Sequence, residues 1–212
     1  KVYAVPNSIE VDAAQHDAGV ARMRYNILFL SNLFPHKGFI PLVKAHALLK
    51  NNFPGLTLTI AGEIPNSDVE GRLRETIREL CLGDSVKVLG KVSGEQKSLL
   101  YRQAGIFVLP SEQEYFPLVI LEAMAARTPV ITSGRHNLES LFTDMHDLLF
   151  VDDLSPEGIA KTIQKLLNNP ALASSIGENG YHRFCELQVQ SQRMMEDLFN
   201  GCADYALLPT RP

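Results

Sequence analysis

The stretch Ile106–Ser133, IFVLPSEQEYFPLVILEAMAARTPVITS, holds the pattern from which the whole chain can be read. IFVLP (106–110) is a short apolar, β-rich run that ends at a turn residue. SEQEYFP (111–117) is polar and reads as its exit loop. Pro117 suits a first helical position, where a missing N–H costs nothing, and predicts a helix from about Pro117 to Ala126. PVITS (129–133) is the next β-rich run. A strand, a crossover helix and a second strand in so short a span belong to a parallel sheet, because crossovers are right-handed and return the chain in the same direction.

The same alternation extends outward in both directions. NILFLS (26–31), LTLTIAG (56–62), VKVLG (86–90) and LLFV (148–151) are expected strands, each a short apolar run of the kind covered on both faces. Between them lie helical stripes: Leu42, Ala45 and Leu49; Val69, Leu73, Ile77 and Leu80; Ile159, Ile163, Leu166 and Leu167. After Pro156 only helical pattern remains, through about Tyr205. The expected fold is one doubly wound, Rossmann-like α/β domain with a parallel sheet of about six strands. Its core runs over about 20–170 and its helical C-terminal extension over about 171–205.

Composition narrows the function. A chain of 212 residues with 45% hydrophobic content can bury a full core. A net charge of −4 gives no basic footprint for nucleic acid. No window approaches 18 consecutive apolar residues, so no membrane-spanning helix is expected. The opening KVYAVPNSIE has neither a signal-peptide pattern nor a starting Met, and reads as a piece of a longer protein. Cys81, Cys185 and Cys202 share no metal-ligand spacing and read as small apolar residues in a reducing compartment. His136 has no partner ligands spaced around it either.

In open parallel sheets ligands bind beyond the carboxyl ends of the strands. The loops there are NLFPHKG (32–38), EIPNSD (63–68), KVSGE (91–95), SEQEYFP (111–117) and GRHN (134–137). The helix after SEQEYFP would offer the free N–H groups of Leu118 and Val119, and its dipole, to a phosphate. Glu114 lies at the rim of that site. Glu122 lies a little over one turn into the helix, within reach of vicinal hydroxyls. A carboxylate accepts two hydrogen bonds at once, which suits the 2′ and 3′ hydroxyls of a ribose. One carboxylate for ribose, another for a sugar and phosphates between them describe a nucleotide sugar. The spacing alone also fits a solvated loop residue and a surface helix position, since charged side chains are mostly exposed.

The E-x7-E pattern of Glu114 and Glu122, within SEQEYFPLVILEAMAARTPVITS, resembles the hallmark of retaining glycosyltransferases of family 4, which have the GT-B fold. VPNSI (5–9), ILFLSNLFPHKG (27–38), LTIAGE (58–63), VKVLGKVS (86–93), YRQAGIFVLPS (101–111) and LLFVDDLSPEGIAKTIQKLL (148–167) follow the same template, so the resemblance covers nearly the whole chain. It implies a C-terminal nucleotide-sugar-binding domain, one half of a GT-B fold, with the N-terminal acceptor domain absent. By the same resemblance Lys37 and Glu114 are the catalytic candidates. Lys37 would sit on the diphosphate of the sugar donor and Glu114 beside the transferred sugar. Asn32, Val92, Tyr115, Phe116, Pro117, Leu118, Val119 and Glu122 would complete the donor site, with Val92 near the base and Glu122 on the ribose.

Three positions depart from the family pattern. Ser31-Asn32 stands where Gly-Arg is frequent, Pro117 where Gly is frequent, and Arg135-His136 where a Gly-Gly pair is common. Asn32 brings no charge, so diphosphate binding would rest more on Lys37, while Arg135 and His136 either restore positive charge or obstruct the cleft. The resemblance implies a metal-independent transferase with no cofactor. Its expected partners are a nucleotide-diphosphate sugar and an acceptor sugar or glycolipid bound through the absent domain. Its expected location is cytoplasmic, with peripheral membrane association of the longer protein. The alternatives are a nucleotide-sugar epimerase of GT-B fold and a degenerate, non-catalytic nucleotide-binding domain.

Overall fold

The computed structural model describes residues 20–114 and 118–206, the segment 198–206 by its backbone alone. VPNSI (5–9) lies outside the described residues. Strand β1 (Met23–Leu30) leads through a 3-10 turn (Pro35–Lys37) into α1 (Phe39–Lys50). Then follow β2 (Thr57–Ala61), α2 (Ser67–Glu79), β3 (Val86–Gly90), α3 (Gly94–Gln103) and β4 (Ala104–Leu109). The chain continues through α4 (Leu118–Ala125), β5 (Val130–Thr132), α5 (Arg135–Leu138) and β6 (Leu149–Phe150). It ends in α6 (Pro156–Asn168) and α7 (Pro170–Ala206).

The six strands form one sheet in the order β3-β2-β1-β4-β5-β6, and every pairing is parallel. Leu28 is in register with Thr59 on one side and Phe107 on the other; Phe107 in turn faces Val130. This is the Rossmann order, and its direction reverses between β1 and β4, so the loops leaving those two strands flank the ligand crevice. Ile27, Leu28, Phe29, Leu58, Ile60, Phe107, Val108 and Ile131 have no or almost no exposure. Burying such a side chain contributes about 1.5–3 kcal/mol, which is why the contiguous apolar runs sit in the central strands. Helix α1 packs on α2 and α6, and α4 packs on α3 and α7, so both faces of the sheet are covered.

Local signals explain the helix starts. The Asn66 side chain accepts a 3.0 Å hydrogen bond from the Val69 N–H, and Asp68 and Glu70 sit in the first turn of α2. Ser155 accepts from the Gly158 N–H at 3.1 Å with Pro156 next in sequence, which starts α6.

Three expectations are corrected. β3 is not covered on both faces: it is an edge strand with Lys87 exposed and Leu89 42% exposed. Leu80 is 37% exposed rather than part of the α2 stripe, because the helix ends at Glu79 and Leu80 has left the helical register; Leu82 fills the core instead. GRHN is not a loop throughout, since Arg135–Leu138 form the short α5 after Gly134. Among the described residues no helix is long and apolar enough to cross a membrane.

Candidate functional site

The loop leaving β1 is fixed by its neighbours before any side chain acts. The Ser31 N–H donates to the Ala61 carbonyl at 3.1 Å and the Leu33 N–H to the Glu63 carbonyl at 2.9 Å. The Glu112 N–H and the Ser111 hydroxyl both donate to the His36 carbonyl, at 2.8 and 3.2 Å. Gly38 closes the 3-10 turn with φ +77°. A Cβ there would lie 1.9 Å from the Pro110 carbonyl oxygen, so only glycine lets this loop lie against the end of β4.

That lacing delivers Lys37 to Glu114. Lys37 Nζ donates to Glu114 Oε1 at 2.8 Å across the crevice between the β1 and β4 exits. Glu114 is not at a rim, as its place in a polar loop suggests, but buried at 4% exposure. The Asn137 side-chain amide of α5 donates to the Glu114 carbonyl at 2.8 Å, and Gly134 lies against its Cβ. A carboxylate this far from water needs a cationic partner, and Lys37 supplies it. The Lys37 side chain keeps 20% exposure, so it is the member of the pair that reaches solvent.

Glu122 forms a second cluster. Its Oε1 accepts from Lys97 Nζ at 2.6 Å and its Oε2 from the Tyr101 hydroxyl at 2.9 Å. Lys97 and Tyr101 stand four residues apart on α3 and so share one helix face, which lies against α4. The Tyr101 ring is buried and tilted against Phe107 at 5.6 Å. Burial, then the Glu122 charge and the hydrogen bond to it, push the Tyr101 phenol well above its ordinary value, so it remains a donor at every working pH.

The other expected positions divide. Asn32 is exposed in the loop after β1, and Val92, between β3 and α3, is packed partly against the core. Leu118 and Val119 open α4, where the first N–H groups lack intrahelical partners. Tyr115, Phe116 and Pro117 lie outside the described residues. Arg135 does not restore charge to the crevice. Its guanidinium donates to Asp152 at 2.8 and 3.0 Å and to Asp144 at 2.8 Å, and it lies 4.8 Å from the Phe150 ring centre. The Asp152 and Asp144 hydrogen bonds raise the Arg135 pKa further, and Arg135 lowers that of Asp152. His136 is exposed. Among the described residues no group of three or more His, Cys, Asp or Glu side chains is placed to hold a metal ion.

Sequence reading missed Lys97, Tyr101 and Asn137. For Lys97 and Tyr101 a weak signal exists in the i, i+4 spacing within GEQKSLLYRQ. No signal in the sequence points Asn137 at the Glu114 carbonyl.

The described residues thus offer a Lys37–Glu114 pair at the exits of β1 and β4, the start of α4, and a second, tethered carboxylate on α4. The family model described as glycosyl transferases group 1 matches residues 12–183. The D-inositol 3-phosphate glycosyltransferase of Pseudarthrobacter chlorophenolicus is 32% identical over 198 residues, covering 89% of this chain and 47% of that protein. The Anabaena HepE protein crystallised with UDP and glucose superposes with a TM-score of 0.78 at 20% identity, covering 92% of this chain and 56% of that one. The C-terminal domain of the group 1 family protein LpcC from Francisella tularensis gives 0.70 at 23% identity, covering 86% and 95%. The chain therefore spans about half the length, or less, of the curated relatives it matches.

Proposed function

We propose, since this chain belongs to the glycosyl transferases of group 1, that it is the C-terminal, sugar-donor-binding part of a retaining GT-B enzyme of family 4. The observation that carries the reading is the Lys37–Glu114 pair, set between the exits of β1 and β4 beside the start of α4. The near-complete coverage of a C-terminal domain by the match to LpcC supports the assignment to that half. The crystallisation of HepE with UDP and glucose supports a nucleotide diphosphate sugar as ligand.

In this reading the diphosphate lies across the amides of Leu118 and Val119 and takes the Lys37 ammonium as its counter-charge. Tyr115, Phe116 and Pro117 line the sugar-phosphate passage. Glu122 accepts the ribose hydroxyls, the base sits against main chain near Val92, and Asn32 offers the diphosphate an uncharged hydrogen-bond donor. As the glycosidic bond breaks, negative charge grows on the leaving phosphate, and Lys37 with the helix terminus stabilises it without a metal ion. Glu114 accepts a hydroxyl of the transferred sugar and faces the positive charge developing on its ring. An N-terminal domain supplies the acceptor sugar or glycolipid, and with it most of the orientation, roughly 7–11 kcal/mol of the barrier. The 212-residue chain therefore binds the sugar donor and does not transfer by itself. The longer protein is read as cytoplasmic and associated peripherally with the membrane. None of the three proteins compared above is described as an epimerase.

The test is a thermal-shift panel with UDP, GDP, ADP and dTDP and their sugars, run in EDTA. A ligand at ~100 times its dissociation constant stabilises by about 2.7 kcal/mol, enough to rank the bases. Stabilisation by one base, retained in EDTA and lost in Glu122→Ala, supports the reading. No response to any nucleotide, or a response that needs magnesium, refutes it.

A further inference from the structure

We infer that Lys97 and Tyr101 are positioning residues that hold the Glu122 carboxylate in the one orientation able to accept both hydroxyls of a ribose, and so set the preference of this site for ribonucleotides. The inference rests on the reading of Glu122 given above, and three observations carry it further.

The first is a count of acceptor directions. An ionised carboxylate has about four, two on each oxygen. Lys97 takes one on Oε1 and Tyr101 takes one on Oε2. Among the described residues these are the donors to the carboxylate, which leaves one direction on each oxygen, as a vicinal diol uses when each of its hydroxyls donates once. Were both internal donors on one oxygen, the free directions would be crowded onto the other and the diol geometry lost.

The second is rigidity. The two donors approach from one helix face and grip opposite ends of the carboxylate, which stops rotation about the terminal torsion of Glu122, otherwise broad and soft. Tyr101 is immobile, being buried and packed on Phe107, so the orientation is referred to the sheet itself. Its raised phenol pKa keeps the proton in place.

The third is environment. Leu121 and Ala123 on either side of Glu122 are buried, and the Glu122 and Lys97 side chains keep 24% and 29% exposure. A pair this enclosed is held for geometry, since a freely solvated ion pair contributes little. Lys97 lies in the first turn of α3, whose N-terminal end follows directly on the loop that carries Val92, the expected base position.

The experiment compares calorimetric affinities of the 212-residue chain for UDP, GDP and ADP with those of their 2′,3′-dideoxy counterparts. The parent is expected to favour the ribonucleotide by about tenfold or more, the usual consequence of hydrogen bonds to a charged acceptor. Glu122→Ala should erase that preference. Lys97→Met, which keeps the stem and removes the ammonium, should cut ribonucleotide affinity roughly tenfold and leave the dideoxynucleotide within twofold. Tyr101→Phe, which keeps the ring on Phe107, should do the same to a smaller extent, and Lys97→Arg should restore the preference. Lys97→Met in the Glu122→Ala background should add nothing. If Glu122→Ala keeps the preference, the ribose assignment itself falls. If Glu122→Ala erases it while Lys97→Met and Tyr101→Phe keep it, or weaken both ligands equally, the positioning role alone is refuted.

Discussion

Replacing Glu114 with Gln should tighten the binding of a bare nucleoside diphosphate even as it disables transfer. In the free chain Lys37 and Glu114 satisfy each other at 2.8 Å. A diphosphate must draw Lys37 away and come to rest near a buried carboxylate of its own sign. Gln keeps the shape and one acceptor oxygen but removes the negative charge. Lys37, still 20% exposed, then recovers water contact rather than being left stranded. The ion-pair contribution lost from a partly exposed pair is about 1 kcal/mol, and relief of repulsion on the incoming phosphates adds a few tenths, so the gain is about 1.4 kcal/mol, or tenfold. Both parts are electrostatic across a wet crevice and should shrink with added salt. Calorimetry with UDP, GDP and ADP at 50 and 300 mM salt measures the effect. In the longer protein the same variant should lose roughly 10²–10³ in turnover, the usual cost of one electrostatic contact to a transition state. A folded Glu114→Gln chain that binds nucleoside diphosphate tenfold more weakly would refute the competition argument.

Further outcomes follow from the same geometry. Gly38→Ala places a Cβ on the Pro110 carbonyl at a left-handed φ and should destabilise by about 2–4 kcal/mol, with nucleotide affinity falling as Lys37 moves; urea unfolding and calorimetry check both. His46 is fully buried beside Ser85, and burial, then the Lys50 charge, lower its pKa from 6.5 to about 4. The unfolded chain takes up that proton below pH 6.5 and the fold does not until about 4. Stability should therefore fall by about 3 kcal/mol as pH drops across this window, and His46→Gln should flatten the slope in urea titrations. Arg135→Ala should cost no more than about 1 kcal/mol of stability and leave nucleotide affinity within twofold, because its donors go to Asp144 and Asp152; a tenfold affinity loss would return Arg135 to the crevice.

The strands were legible because a parallel sheet buries each strand as a short, mostly apolar run; NILFLS and IFVLP are such runs, and LTLTIAG adds β-branched threonines to one. VKVLG read the same way but became an edge, and Lys87 within it is the one signal that could have said so, since a lysine is tolerated where one face of a strand is open. The Lys37, Glu114 and Glu122 positions were legible through loop placement and family pattern; their partners were not. Lys97 meets Glu122 across 25 residues and Arg135 meets Asp152 across 17, contacts set by how α3 and α5 lie in three dimensions. Glu114 carries no local sign of burial, because the groups that enclose it come from the loop after β1 and from α5.

Helix α7 is one continuous helix in form and two in physical behaviour. Over its first half Ile176, Phe184 and Leu187 are buried, and Gly177 brings the helix so near the chain that a Cβ would lie 2.4 Å from the Arg127 carbonyl oxygen. Ser191 is the last buried residue among those whose side chains are described, and from Gln192 to Asp197 the helix turns mostly to solvent. An isolated helix of that length is marginal in water, so these later turns are held by little more than continuity with the earlier ones. Amide hydrogens in the buried stretch from Ile176 to Ser191 should exchange through the larger openings of the domain. Those after it exchange through end fraying, on a clock independent of global stability. The stretch 192–197 is thus a helix on loan from the half before it, free to bend without any cost to the sheet that holds the crevice.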